Sequence, residues 1–430
     1  MPPVDVDRLW ARVQNLARFT RADEPFTRRA FSPLFAEARE WLRAEYEKAG
    51  LEVSLDAAGN LIGRRAGRST SAAAIVTGSH CDTVVGGGRF DGIIGVLAGI
   101  EVAQALQEAG VELEHAFEVV DFLSEEPSDY GISCVGSRGM AGLLDAGMLA
   151  AADPGGETLA QGLSRVGGRP AALTDPLRAA GDIAAFVELH IEQGPVLEAA
   201  DVPIGVVTHI VGIRRVAIEV LGRPDHAGTT PMDIRCDALV GAARIIDAAQ
   251  RRAAAAAAGP GYVVATVGRI AMTPNVPNAV PGHVEMVLEV RSDSPAVLDA
   301  FPEELLASVA DGLHALRLQA RMRPLSRSQP TACSPRVMDV VEREAAALGY
   351  AAMRLPSGAG HDAAYLAALA PVGMIFIPCL NGRSHCAEES IEPSQLLDGT
   401  RVLYQTVLAL DRAFSVQAPA AAAAAAPDFR

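Results

Sequence analysis

Glu125 and Glu126 stand side by side at the end of an apolar run, with His80 and Asp91 upstream. Two more histidines, His190 and His385, each follow another apolar run. Together these residues offer three imidazoles, one carboxylate that can bridge, one terminal carboxylate and one further carboxylate. Such a set can hold two divalent cations about a shared aspartate and leave a general base beside the attacking water. The chemistry it points to is hydrolysis by a metal-activated water.

Each residue also has a plainer reading. His80-Cys81-Asp82 puts His80 and Asp82 on one side of an extended segment, where Asp82 can steady the imidazole and fix its tautomer. Alone, an HxD triplet is weak. Asp91 precedes a helical pattern and would serve equally as an N-cap. Two acids ending a buried strand are costly unless solvated, paired or bound to metal. An extended chain points them apart, so Glu126 can ligate while Glu125 addresses the water. A surface loop would carry the same pair with no function. His190 opens Ile191-Glu192-Gln193-Gly194-Pro195, and His385 ends Gly382-Arg383-Ser384-His385; neither carries weight singly. The argument is their shared position at strand-to-loop junctions.

The elements that must deliver them are legible as apolar runs. Residues 73–78, 115–123, 184–189 and 373–378 read as buried strands that end at or just before His80, Glu125-Glu126, His190 and the His385 loop. A helical stripe spans 92–109, with Ile93, Val96, Leu97, Ile100 and Ala103 on one face. Buried strands alternating with helices imply an α/β domain with a largely parallel mixed sheet, whose groups gather beyond the strands' carboxyl ends. Residues 211–325 differ. Strands at 214–221 and 283–290 alternate apolar and polar residues, a third lies at 262–268, and a weaker fourth at 318–324. Helices are expected near 231–252, with Thr230 as N-cap and Pro231 first, and near 296–316. The order βαββαβ suggests an inserted smaller α+β module, leaving residues 1–210 plus 326–415 as the discontinuous catalytic domain. Residues 416–430, rich in Ala and Pro, read as a disordered tail.

The chain of 430 residues carries a formal charge of -15, which argues against a nucleic-acid partner. No apolar run is long enough to cross a bilayer, and the N-terminus reads as an amphipathic helix, not a signal peptide. Six scattered cysteines suggest free thiols and a reducing, cytoplasmic setting. Cys81 and Cys386 each adjoin a candidate histidine, but Cys81 should point away from the site.

These residues sit in stretches with a family resemblance: GSHCDTVVGGGRFDGIIGVLAGIE from Gly78, FLSEE from Phe122, GSRGMAG from Gly136, ELHIEQGPVLE from Glu188, HAGTTPM from His226, PNAVPG from Pro277, SGAGHDA from Ser357 and GRSHCAEE from Gly382. The chain resembles the dinuclear-metal amidohydrolases related to aminoacylases and carboxypeptidases. Within them it is similar to the N-carbamoyl-L-amino-acid hydrolase, β-ureidopropionase and allantoate amidohydrolase group. The resemblance implies one cation held by His80, Asp91 and His190, and another by Asp91, Glu126 and His385. Asp91 would bridge, and Glu125 would be the base, with Asp82 in support. It further implies that His226 polarises the scissile carbonyl and that Gln193, Asn278, Arg291, Gly360 and His361 contact a small carboxylate-bearing substrate. A planar Arg291 fork suits that carboxylate, although Arg291 would also serve as an ordinary strand residue. Asn278 would also serve as a turn former, and His361-Asp362 as a helix start. The inserted module would act as a lid and as the interface of a homodimer, lending His226 and Asn278 across it. The donor set suits zinc, while manganese, cobalt and nickel are tolerable. The implied activity is cleavage of the ureido C–N bond of a small carboxylate-bearing substrate such as an N-carbamoyl amino acid, with allantoate hydrolysis, or a dipeptidase or N-acyl-amino-acid deacylase on the same metal site, as the alternatives. The chain departs from the pattern at Pro127-Ser128-Asp129-Tyr130-Gly131, where many members of the group it resembles have glycine and a shorter turn. That loop, expected beside the cations, bears on substrate identity.

Overall fold

The computed structural model describes residues 2–415 and divides the chain into two compact units. The expected tail at 416–430 lies outside the described residues.

The first unit takes the chain up to Thr208, then Cys333–Leu355, then the chain from His361. Its sheet is mixed. From one edge the strands run Glu52–Leu55, Leu61–Arg65, Phe117–Phe122, Ala74–His80, Ile183–Ile191, Val372–Ile377 and Ile204–Ile210. The four expected site-bearing strands occupy the middle and are mutually parallel. Every residue of those four strands is buried, which is why they read as unbroken apolar runs. Parallel pairing also fixes a common direction, so their carboxyl ends open onto the same edge of the sheet.

Helix Ile93–Glu108 is buried nearly all round, more than the single expected stripe. Its one buried acid, Glu101, is neutralised by Arg8 at 2.6 Å and Arg12 at 2.9 Å from the N-terminal helix Val6–Leu16. Asp91 does not cap this helix. Gly92 occupies the cap position, at φ 68°, and no side chain bonds there. All six cysteines are free, five of them buried. Among the described residues no helix is long and apolar enough to cross a membrane.

The second unit comprises His209–Ala332 and Pro356–Gly360. Its antiparallel sheet has the order Gln319–Arg327, Gly212–Leu221, His283–Ser292, Val263–Thr273. Inward residues Val216, Ile218, Val220, Val284, Met286 and Leu288 pack with Ala242, Ile245, Leu298 and Phe301 from helices Ala238–Ala257 and Pro295–Ala315. A boundary at 325 would cut a strand, since Ser326 and Arg327 still pair with Arg215 and Arg214. Residues 356–360 join this unit through Val211 N–H to Ser357 O and Arg291 to Gly358 O. The first helix starts later than expected. Thr230 O and Ala227 O accept from Arg235, and Thr229 N–H donates to His226, so the segment is held as a loop with one 3₁₀ turn at Met232–Ile234. Asp237 then caps the helix, accepting from Leu239 and Val240.

Candidate metal centre

Strand ends bring the candidate residues of the first unit together. His80 is the last residue of its strand, His190 the penultimate residue of its own, and Ser124-Glu125-Glu126 follow Phe117–Phe122 after Leu123. Asp91 arrives from the loop before helix Ile93–Glu108, and His385 from the loop after Val372–Ile377. Donor atoms of His80, Asp91 and His190 lie within 4.8 Å of one another, and so do those of Asp91, Glu126 and His385. Asp91 belongs to both groups.

The hydrogen bonds set how the imidazoles face. His80 Nδ1 lies 3.0 Å from the Asp82 carbonyl, and His190 Nδ1 lies 2.8 Å from the Ile191 carbonyl. A carbonyl accepts only, so each Nδ1 carries a proton and it is Nε2 that turns toward the carboxylates. His80 Nε2 faces Glu125 Oε2 at 3.6 Å, and His190 Nε2 faces Asp91 Oδ1 at 3.2 Å. His385 Nε2 lies 2.9 Å from both Asp91 Oδ2 and Glu126 Oε1. Three Nε2 atoms and three carboxylates therefore converge.

This field demands positive charge. Burial would lower His80, but Glu125, Asp82, Asp91 and Glu126 together hold its pKa well above the ordinary value. Hydrogen bonds donated to the Asp91 and Glu126 carboxylates push His385 up to about 11. Burial opposes ionisation of Asp91, yet His190 and His385 hold its carboxyl well below the usual range. Burial raises Glu125 well above the carboxylate range, and Glu126 and Asp362 add to that against His80. Buried carboxylates in excess, facing neutral-capable imidazoles, are the donor chemistry that divalent cations complete. Residues and group fit.

Asp82 works differently from the sequence expectation. Its carboxylate stands 3.6 Å from His80 Nδ1, while its two oxygens accept the backbone N–H groups of Glu125 at 3.2 Å and Glu126 at 3.1 Å. It steadies His80 through its main-chain carbonyl and the glutamate pair through its side chain. Burial pushes Asp82 up to about 7. Gln193 donates to Asp91 Oδ1 at 2.9 Å, and the His361 ring stacks edge-on against His190 at 4.6 Å. Asp362 stands at the N-cap of the short helix Ala363–Leu366, as a helix start would, but its side chain bonds no helix N–H; its Oδ1 accepts the Ser137 hydroxyl at 2.5 Å. A third possible ligand group, Glu188, His190 and His361, shares His190.

Several supporting groups escaped the sequence reading. Glu188 is wholly buried and takes the Ser79 hydroxyl at 2.7 Å. Its signal existed, because it lies two residues before His190 and so on the same strand face. Cys134 donates its thiol to Glu125 Oε1 at 3.3 Å, and Glu389 braces the Asp91 loop. Those two contacts join residues that local spacing cannot associate.

The departing loop turns its side chains to other partners. Asp129 pairs with Arg29 at 2.7 Å, and Tyr130 donates to Glu157 at 2.6 Å while its ring meets Phe31 edge-on at 5.1 Å. Arg29, Phe31, Asp129 and Tyr130 line a cavity of about 220 Å³ with Arg21, Asp153 and Arg165.

In the second unit, His226 and Asn278 are brought together, since Ala279 pairs with His226 and Ala227 N–H donates to Asn278 O at 3.0 Å. His226 Nδ1 accepts from Gly228 N–H at 3.0 Å and Thr229 N–H at 3.2 Å, which leaves its proton on Nε2. Arg291 donates to Glu289 and to Gly358 O, both at 2.8 Å. Gly360 is exposed at the end of the 356–360 segment.

The chain as a whole is similar to known proteins. Residues 76–409 match the model of peptidase family M20/M25/M40. An N-carbamoyl-L-amino-acid amidohydrolase of Paenarthrobacter aurescens is 38% identical over 407 residues, covering 94% of this chain and 98% of that protein. An allantoate amidohydrolase of Bacillus subtilis (strain 168) is 33% identical over 383 residues, covering 89% and 92%. A crystal structure of an amidase of the hydantoinase/carbamoylase family from Burkholderia multivorans superposes with a TM-score of 0.87 at 36% identity, covering 95% of this chain and 98% of that one.

Proposed function

The chain belongs to peptidase family M20/M25/M40, and from that premise we propose that it hydrolyses the ureido C–N bond of an N-carbamoyl amino acid. The observation that carries the reading is the convergence of three imidazole Nε2 atoms on Asp91, Glu125 and Glu126. The substrate class draws on likeness to the carbamoyl-amino-acid enzyme along nearly the whole of both chains.

His80, Asp91 and His190 would hold one divalent cation, and Asp91, Glu126 and His385 a second, zinc being the best match to the donors. When bound, the cations would acidify the attacking water and polarise the scissile carbonyl. Glu125 takes the proton of that water and returns it to the leaving nitrogen. Burial, which raises its carboxyl, makes it a stronger base than a solvated glutamate. Asp82 keeps the Glu125 and Glu126 backbone in place during the transfer. Gln193 and His361 are the first unit's substrate contacts. In the second unit His226, with its proton on Nε2, donates to the carbonyl oxygen, and Asn278 and Gly360 line the substrate. Arg291, its guanidinium steadied by Glu289 and Gly358, pairs with the substrate carboxylate. The products are the free amino acid, carbon dioxide and ammonia.

Residues 211–325 are proposed as lid and homodimer interface, the partner lending His226 and Asn278. The exposed Val264 and Ile270 on edge strand Val263–Thr273 support the dimer. Sedimentation would report the dimer, and a monomer at micromolar concentration would refute it. Free buried thiols suit a reducing, cytoplasmic setting.

Purified protein incubated with N-carbamoyl-L-amino acids, allantoate and dipeptides tests the activity by released ammonia. Ammonia with an equivalent of amino acid from the carbamoyl substrate is the expected result. Dipeptide cleavage with no ammonia from any ureido compound would replace this reading with the dipeptidase one. Ammonia from allantoate alone would favour the second reading, which the Bacillus subtilis relative supports.

A further inference from the structure

Glu389 is 1% exposed, and its carboxylate reaches both of the loops that carry Asp91 and His385. Its Oε1 accepts the backbone N–H of Phe90 at 2.7 Å and of Asp91 at 3.1 Å, and its Oε2 accepts the Ser384 hydroxyl at 2.8 Å. Phe90 and Asp91 belong to the loop that brings in the shared aspartate. Ser384 and Glu389 belong to the loop that carries His385. A single side chain thus ties two irregular segments separated by 298 positions in sequence. Gln193 closes the same ring, since its amide donates to Asp91 Oδ1 at 2.9 Å and lies 3.4 Å from Ser384 Oγ.

The glycine run before Asp91 has a physical reason here. A Cβ on Gly88 would stand 1.9 Å from the Glu389 carboxyl carbon. That carboxyl has three hydrogen bonds to surrender before it can move aside. Gly86 meets no such obstacle.

We propose that Glu389 is a positioning residue that clamps the Asp91 loop to the His385 loop, so that Asp91, Glu126 and His385 form one cation site, and that Gly88 is glycine to leave the clamp room. The proposal rests on the two-cation reading above. Without the carboxylate, the N–H groups of Phe90 and Asp91 lose their acceptor, and Ser384 is left with the longer 3.4 Å contact to the Gln193 amide. Outer partners of this kind are worth about 10–100-fold in metal affinity.

The test is calorimetric titration of Zn²⁺ into metal-stripped wild type, Glu389→Ala, Glu389→Gln and Gly88→Ala, with circular dichroism of each stripped protein. The wild type should take up two equivalents. Glu389→Ala should keep the native dichroism and bind Zn²⁺ about 10–100-fold more weakly, with the greater loss in the second equivalent. Glu389→Gln should bind close to wild type, because its Oε1 still accepts both N–H groups and its Nε2–H can donate to Ser384 Oγ. Gly88→Ala should weaken binding like Glu389→Ala, and it carries the test if Glu389→Ala fails to fold. Wild-type titration curves for Glu389→Ala, or for Gly88→Ala, would overturn the clamp and leave the two-cation reading standing. A wild type that binds no Zn²⁺ would sink that reading first, and the clamp with it.

Discussion

The two candidate cation groups share Asp91 but are built in different ways. His80 and His190 lie in strands, only 2% and 1% exposed, with each Nδ1 locked to a main-chain carbonyl. Glu126 and His385 lie in loops, and the His385 side chain is 47% exposed, on a residue at φ 56°. The first group inherits its geometry from the parallel sheet. The second has to be assembled by hydrogen bonds between loops, through Asp82 to the glutamate pair and Glu389 to the Asp91 segment. Strand-borne ligands should therefore be hard to dislodge, and loop-borne ligands should depend on their neighbours.

The largest effect should come from the residue that serves both groups without belonging to either. Glu125→Gln should lower kcat by about 10²–10⁴-fold while both cations stay bound, measured by turnover of an N-carbamoyl amino acid and elemental analysis. Loss of cations from this variant would instead make Glu125 a ligand.

The comparison itself is sharpened by paired variants. His190→Ala should weaken cation binding more than His385→Ala, because water can enter to replace an exposed imidazole but not a buried one. Titration of the stripped proteins gives the ranking, and the reverse order would break the contrast between strand and loop. A smaller loss should follow Asp82→Asn, which keeps one acceptor oxygen but presents an amide to the other N–H. About 10–100-fold in affinity or kcat is expected, concentrated in the group that contains Glu126. Equal weakening of both groups would mean that the carboxylate's 3.6 Å approach to His80 Nδ1 matters as much as its hold on the glutamate pair.

The smallest effect belongs to the departing loop. Arg29 and Asp129 form an ion pair in which Asp129 is 67% exposed. Arg29→Ala should change stability by at most about 1 kcal/mol in urea unfolding and leave kcat as it was. A clear change of substrate preference would show that the loop reaches the substrate after all.

How much of this was legible in the chain follows the same division. Ligands at strand ends announce themselves, because an apolar run that stops at a histidine or an acid marks a functional edge. The fold class was legible for the same reason. Asp82 was noticed, but its main partners were not, since a carboxylate gripping backbone N–H groups 43 and 44 residues away leaves no local pattern. Glu389 sat inside a recognised stretch, GRSHCAEE, and was still passed over, because its task depends on a loop 298 positions upstream. The helix expected from Pro231 begins at Ala238, because His226 and Arg235 take up the backbone groups that an earlier start would need. Proline at a first helical position is a local signal, and here a tertiary arrangement overrode it.

The sharing of Asp91 by two cations is tested most directly by anomalous diffraction from crystals grown with Zn²⁺. Two peaks about 3.5–4 Å apart, one on each side of the Asp91 carboxylate, are the expected result. A single peak, or one held by Glu188, His190 and His361 with nothing beside Glu126 and His385, would contradict it.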